Sequence, residues 1–192
     1  MLALDTEDAS RLLRFNLQVL DQAARLIEAH RATCSAGYRE PVGVHLRHVI
    51  EHYEALLKPT ERGVVDYDRR ARNPEVERDP GVALARVQAL QRALGSWTHA
   101  ASAQPLLVVG IGGTQGDFAY RVPSTGAREL AFLASHAVHH FALLRRHCEA
   151  QRIALDPDFG RAPATVAHDR QRNPATPIEP KDTSCLALES RA

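Results

Sequence analysis

Apolar residues recur along this chain at steps of three and four in four separate stretches, each of which predicts an amphipathic helix. In the first, 6–32, Leu13, Leu17, Leu20, Ala24 and Ile27 make one stripe, and Asp5 or Thr6 offers a short oxygen side chain to cap the first turn. Gly37 and Pro41 punctuate the loop that follows. A second helix is predicted over about 42–58, with Val42, Val49, Tyr53 and Leu56 on one face and Pro59 beyond its end. The third opens at Asp79-Pro80, an N-cap with proline at the first helical position, and runs to about Trp97 through Ala83, Val87, Leu90 and Leu94. The fourth covers about 126–151, with Leu130, Leu133, Ala137, Phe141, Leu144 and Cys148 on one side.

The intervening stretches lack that period. Residues 59–80, which contain Asp66-Tyr67-Asp68-Arg69-Arg70-Ala71-Arg72-Asn73-Pro74, are polar and predict a long loop. Residues 105–123 hold two short extended runs around the glycine-rich Gly110–Gly116, a small hairpin with its turn. From Asp156 onward, prolines at 157, 163, 174, 177 and 180 interrupt any helix, so this tail is expected to lie partly along the body and to be disordered beyond about Asp169. The predicted architecture is all-α: a four-helix bundle over 1–155 with a β-hairpin between helices three and four, then a proline-rich tail over 156–192.

With 192 residues the chain suffices for one domain of ordinary size. Lys plus Arg number 24 and Asp plus Glu 23, so no broad basic footprint argues for nucleic acid or an acidic membrane surface. The opening Met-Leu-Ala-Leu-Asp-Thr-Glu-Asp is acidic, unlike a secretory signal, and the most apolar run, Pro105–Gly113, is about half the length of a membrane helix. Cys34, Cys148 and Cys185 are odd in number and far apart, which argues against a disulfide framework. Cys34 and Cys148 sit in apolar contexts and read as packing residues. These features predict a soluble cytoplasmic protein.

Ten histidines is a high count, and six of them fall within 45–52 and 136–140. On the fourth helix His136 and His140 are one turn apart, about 40° around the wheel, so two imidazoles can grip one ion. His139 points away from the apolar stripe and is expected to face solvent, and His147 is about 10–16 Å further along the helix. Catalytic zinc sites usually take three protein ligands, so a third must come from a facing helix. His45, His48 and His52 on helix two all fall within about 60° of arc, and spacing does not choose among them.

Val42-Gly-Val-His-Leu-Arg-His48-Val-Ile, followed further along by His136-x-x-x-His140, resembles the DinB/YfiT-like superfamily over roughly residues 6–155. Those proteins are four-helix bundles holding a divalent metal through one histidine of helix two and an HxxxH of helix four. Aligned on the apolar pair Val49-Ile50, the resemblance implies His48, His136 and His140 as ligands to zinc, nickel or iron, with His52 as the rival to His48. It also implies a homodimer and a small-molecule substrate, since members of known activity include transferases and isomerases that use a low-molecular-weight thiol. The chemistry so implied is that of a Lewis acid with an open coordination position, able to acidify water or hold a thiol as thiolate for transfer or hydrolysis. A non-catalytic metal-binding or stress-associated bundle is the alternative, and a metal-free interaction module the third reading.

The segment Asp66–Arg72 lies outside the family pattern. Its plainer reading is a salt-linked surface loop; the functional one is a lid whose Tyr67 or arginines meet an anionic substrate. Gly110–Gly116 does not fit GxGxxG, because Gln115 stands where glycine is needed, and no Gly-Lys-Ser/Thr follows. HExxH and paired Glu-x-x-His are absent, which removes the zinc-protease and ferritin-like readings.

Overall fold

A computed structural model describes residues 5–33 and 37–172. The fold is mostly helical with a small three-stranded mixed sheet. Its long helices are α1 (Thr6–Thr33), α2 (Val44–Leu57), α4 (Pro80–Gly95) and α6 (Gly126–Ala150), close to the four stretches the pattern predicts. α1 packs on α4 and α6, and α2 packs on the same two. The buried faces of α2, α4 and α6 are the predicted ones: Val49, Tyr53 and Leu56; Ala83, Val87, Leu90 and Leu94; Leu130, Leu133, Ala137, Phe141, Leu144 and Cys148. Asp79 caps α4 as read, its Oδ1 accepting from the Gly81 and Val82 amides at 2.7 and 3.3 Å.

The fold departs from a plain four-helix bundle. Two short helices, α3 (Pro74–Arg78) and α5 (His99–Ala103), lie in regions the apolar period does not mark, and a turn over Tyr38–Gly43, kinked at the extended Glu40, leads into α2. Residues 59–80 are not one long loop, because β1 (Val64–Asp66) pairs parallel to β2 (Pro105–Gly112), which pairs antiparallel to β3 (Phe118–Thr125). Three residues are too few to show a strand alternation in sequence, and β1 is defined by its partner. Glycines 110 and 112 belong to β2, beneath the side chains of Tyr120 and Phe118, where a Cβ would meet the Tyr120 hydroxyl at 2.5 Å and the Phe118 ring at 2.6 Å. The turn proper begins at Gly113, whose φ of 86° favours glycine.

On α1 the stripe is rotated from the predicted one. Of the predicted stripe Leu20 and Ile27 are fully buried and Leu13, Leu17 and Ala24 only partly so, while Asn16, Val19, Ala23, Leu26 and His30 also face the core. The pattern misplaced this face because two polar residues stand on it. Asn16 is satisfied there: its Nδ2 donates to the Leu12 carbonyl at 2.9 Å and its Oδ1 accepts from the Tyr53 hydroxyl at 2.8 Å.

After α6 the chain folds back onto the body, with Ile153 and Phe159 buried and Phe159 stacked on Phe141 at 5.1 Å. A second unit begins at Pro163 with α7 (Pro163–Arg172), so the chain is helical past Asp169. The rest of the predicted disordered tail, with Cys185, and also Cys34, lies outside the described residues. Among the described residues, no helix is long and apolar enough to cross a membrane. Because Phe159 buries its ring against Phe141, Phe159→Ala should cost about 3–5 kcal/mol in urea unfolding. A loss under about 1 kcal/mol would mean that this segment adds nothing to the core.

Candidate metal centre

Helix α2 reaches the site because its start can approach α3 closely. A Cβ on Gly43 would lie 2.0 Å from the Glu77 carbonyl oxygen, so only glycine permits this contact. From that start, His45, His48 and His52 project toward α6, whose entry is capped by the Thr125 hydroxyl accepting from the Arg128 amide at 3.3 Å. His136 and His140 answer from α6. The ring of His48 lies 5.0 Å from His136 and 4.6 Å from His140, centroid to centroid, and His136 and His140 are 4.6 Å apart. Each of these three offers a ring nitrogen, all within 4.8 Å of one another, a set that could hold a metal ion.

The other two histidines of α2 join the same seam in different roles. His45 Nδ1 meets His140 Nδ1 at 2.7 Å. His52 is buried and its Nδ1 donates to the His48 carbonyl at 2.6 Å, which leaves Nε2 as its acceptor nitrogen. His48 and His136 meet through their Nε2 atoms at 2.9 Å. His139 is exposed, as the wheel places it. His147 sits elsewhere, beside His30, whose pKa is lowered by burial and further by His147.

Burial keeps the cluster uncharged. It pushes His48 down to about 2, helped by His52, His140, Arg70 and His136. His52 falls to about 4 through burial and Arg70, against the opposing bond to the His48 carbonyl. His140 falls to about 4 through burial and the neighbouring imidazoles, and His136 and His45 shift the same way. Neutral imidazole is the form that ligates a metal.

The segment after β1 covers this seam, contrary to the surface-loop reading of Tyr67 and Arg70. Tyr67 stacks on His52 at 5.4 Å and donates to the Glu129 carboxylate at 2.7 Å. Glu129, fully buried on α6, also accepts from Ser124 and Arg128. Phe132 stacks on His136 at 5.4 Å. Arg70 donates to the Tyr67 carbonyl, and its two terminal nitrogens lie 3.4 Å from His52 Nε2 and His48 Nδ1. The loop is held at both ends, since Asp68 accepts from the Ile111 amide at 2.8 Å and the Asn73 amide donates to Glu51 at 2.7 Å. Arg69 and Arg72 are exposed, as a surface loop predicts. Glu129 went unnoticed in the sequence; its one signal is a carboxylate one turn before Leu133, at the edge of the predicted apolar face.

No family model matches this chain, and no solved structure matches it. Over 109 residues it is 28% identical to "FK506-binding protein 5" of Rhizopus delemar, a match that takes in 57% of this chain and 28% of that protein. A likeness of that extent leaves the FK506 binding in the name with that protein.

The lowered imidazole pKa values fix a pH dependence for the metal-free chain. Unfolded, these groups take up protons near 6.5; folded, His52 and His140 do so only near 4. Below pH 6.5 the unfolded state therefore binds more protons, and stability falls as pH drops toward 4; above 6.5 these groups contribute no slope. With chelator present, the urea midpoint should decline through that window. The double variant His52→Gln/His140→Gln should decline less. A wild-type midpoint that stays flat there would contradict neutral burial.

Proposed function

We propose that this chain binds a divalent metal ion (zinc, nickel or iron) through His48, His136 and His140, and uses it as a Lewis acid on a small-molecule substrate. This is the function of a DinB/YfiT-like four-helix metalloprotein, to which the sequence resemblance points, with a low-molecular-weight thiol as a candidate co-substrate. The observation that carries the reading is the convergence of three neutral imidazole nitrogens from two helices within 4.8 Å. Bound there, a divalent ion would lower the pKa of a water or thiol ligand and polarise an electrophile.

The side chains around the three histidines support an open coordination position, which separates a reactive site from a structural one. His52 is the nearest rival ligand, yet both its nitrogens have partners, one on the His48 carbonyl and one facing Arg70. Glu51 is engaged with the Asn73 amide and with Arg47, 3.1 Å away. Neither is presented as a fourth ligand. His45 meets the Nδ1 of His140 and can fix that ring's orientation, the usual task of a group behind a metal-bound imidazole. Phe132 and Tyr67 wall the site with aromatic faces, which excludes water from one side.

Elemental analysis of untagged protein tests the reading. About one divalent ion per chain is expected. His136→Ala and His140→Ala should each lose it, His48→Ala should lose it or hold it far more weakly, and the exposed His139→Ala should retain it. Wild-type protein that stays empty after incubation with zinc, nickel and iron would overturn the proposal.

A further inference from the structure

We propose that Arg70 is the recognition group for a carboxylate-bearing ligand of the histidine site; the proposal rests on the metal-binding reading above. The Arg70 side chain is only 11% exposed, so a guanidinium has been taken out of water, which is costly unless its donors are met. They are met unequally. One terminal nitrogen, Nη1, donates to the Tyr67 carbonyl and faces His52. The opposite edge, formed by Nε and Nη2, is the two-pronged face that grips a carboxylate through parallel hydrogen bonds. Along that edge Nε is buried without any hydrogen-bond acceptor, and Nη2 has only the long 3.4 Å approach to His48 Nδ1.

The nearest carboxylate does not fill the fork. Glu51 stands 3.8 Å from Nε, with its oxygens taken by the Asn73 amide and by Arg47. Arg47 in turn is paired with Glu77 at 2.6 Å. Three guanidiniums, Arg39, Arg47 and Arg70, therefore share two carboxylates before any metal arrives. A divalent ion on three uncharged imidazoles adds two positive charges beside a buried arginine, and an anionic ligand is the economical counterweight.

A proton argument points the same way. His48 turns Nε2 toward His136, so a metal held by that nitrogen leaves the ring proton on Nδ1. Nδ1–H and the Nη2 donor of Arg70 then face each other across 3.4 Å, two donors with no acceptor. An oxygen of a bound carboxylate accepts from both, on the side of the His48 ring away from the metal-facing Nε2, while the other oxygen takes Nε.

The test uses the full, untagged chain loaded with cobalt(II), whose visible absorption reports its ligand environment, titrated with acetate and separately with inorganic phosphate. Acetate should perturb the cobalt bands saturably in the wild type. Arg70→Gln should weaken acetate binding by about tenfold or more at unchanged cobalt stoichiometry, as expected for loss of charge-assisted hydrogen bonds. Arg70→Lys, which keeps the charge and lacks the fork, should fall between and serves if the glutamine variant fails to fold. Equal acetate affinity in wild type and either folded variant, or no saturable response in the wild type, overturns the role of Arg70 while the bound cobalt leaves the metal reading standing. Phosphate binding about tenfold tighter than acetate overturns the carboxylate assignment. Failure of the wild type to take up cobalt overturns both.

Discussion

Everything distinctive about this molecule follows from the contact between α2 and α6, where nitrogen meets nitrogen. His45 and His140 face each other through Nδ1 atoms and His48 and His136 through Nε2 atoms, at 2.7 and 2.9 Å. Each such pair holds together only if one ring donates and the other accepts, so the seam tolerates neutral imidazoles and resists protons. A seam of this kind is a poor device for packing, since aliphatic residues would fill the same space without polar atoms to satisfy. It is a good device for gathering lone pairs around one point.

Holding that seam in register takes a second layer of polar residues, and they are placed where burial makes each contact count. Glu51 bridges Arg47 on its own helix to the Asn73 amide, and so ties the covering segment to α2. Glu129 performs the same office on α6 through Tyr67. The small sheet completes the frame: β1 delivers the covering segment and β2 fastens it through the Ile111 amide and Asp68. The hairpin thus has a task in positioning the site, through the Ile111 amide on Asp68 and Ser124 on Glu129.

Much of this was legible from spacing. The helices with uniform apolar stripes were placed correctly, as was the HxxxH pair, because a period of 3.6 is set by backbone geometry alone. What escaped detection shares one cause: contacts between residues distant in sequence. Asn16 broke the reading of α1 because its partner is Tyr53, on another helix. β1 was invisible because a three-residue strand exists only through its pairing with β2. The choice among His45, His48 and His52 was likewise open on the wheel. All three do approach α6 or its covering loop, and they divide by which nitrogen faces which neighbour, a property no helical wheel contains.

The covering segment shows most plainly why composition misled. Asp66-Tyr-Asp-Arg-Arg-Ala-Arg72 has acids and arginines interspersed, which reads as a self-neutralising surface loop. The acids are employed elsewhere. Asp66 Oδ1 accepts from the Asp68 and Arg69 amides at 3.0 and 3.1 Å, and Asp68 accepts from the Ile111 amide. Shaping the backbone occupies these carboxylates, so Arg70 is left to turn inward with its charge met only partly by Glu51. A loop built this way leaves the Nε of Arg70 without a hydrogen-bond partner beside the histidines. Three neutral imidazoles and a buried guanidinium share this seam, so a metal ion held there, as proposed, would favour a co-ligand that brings negative charge.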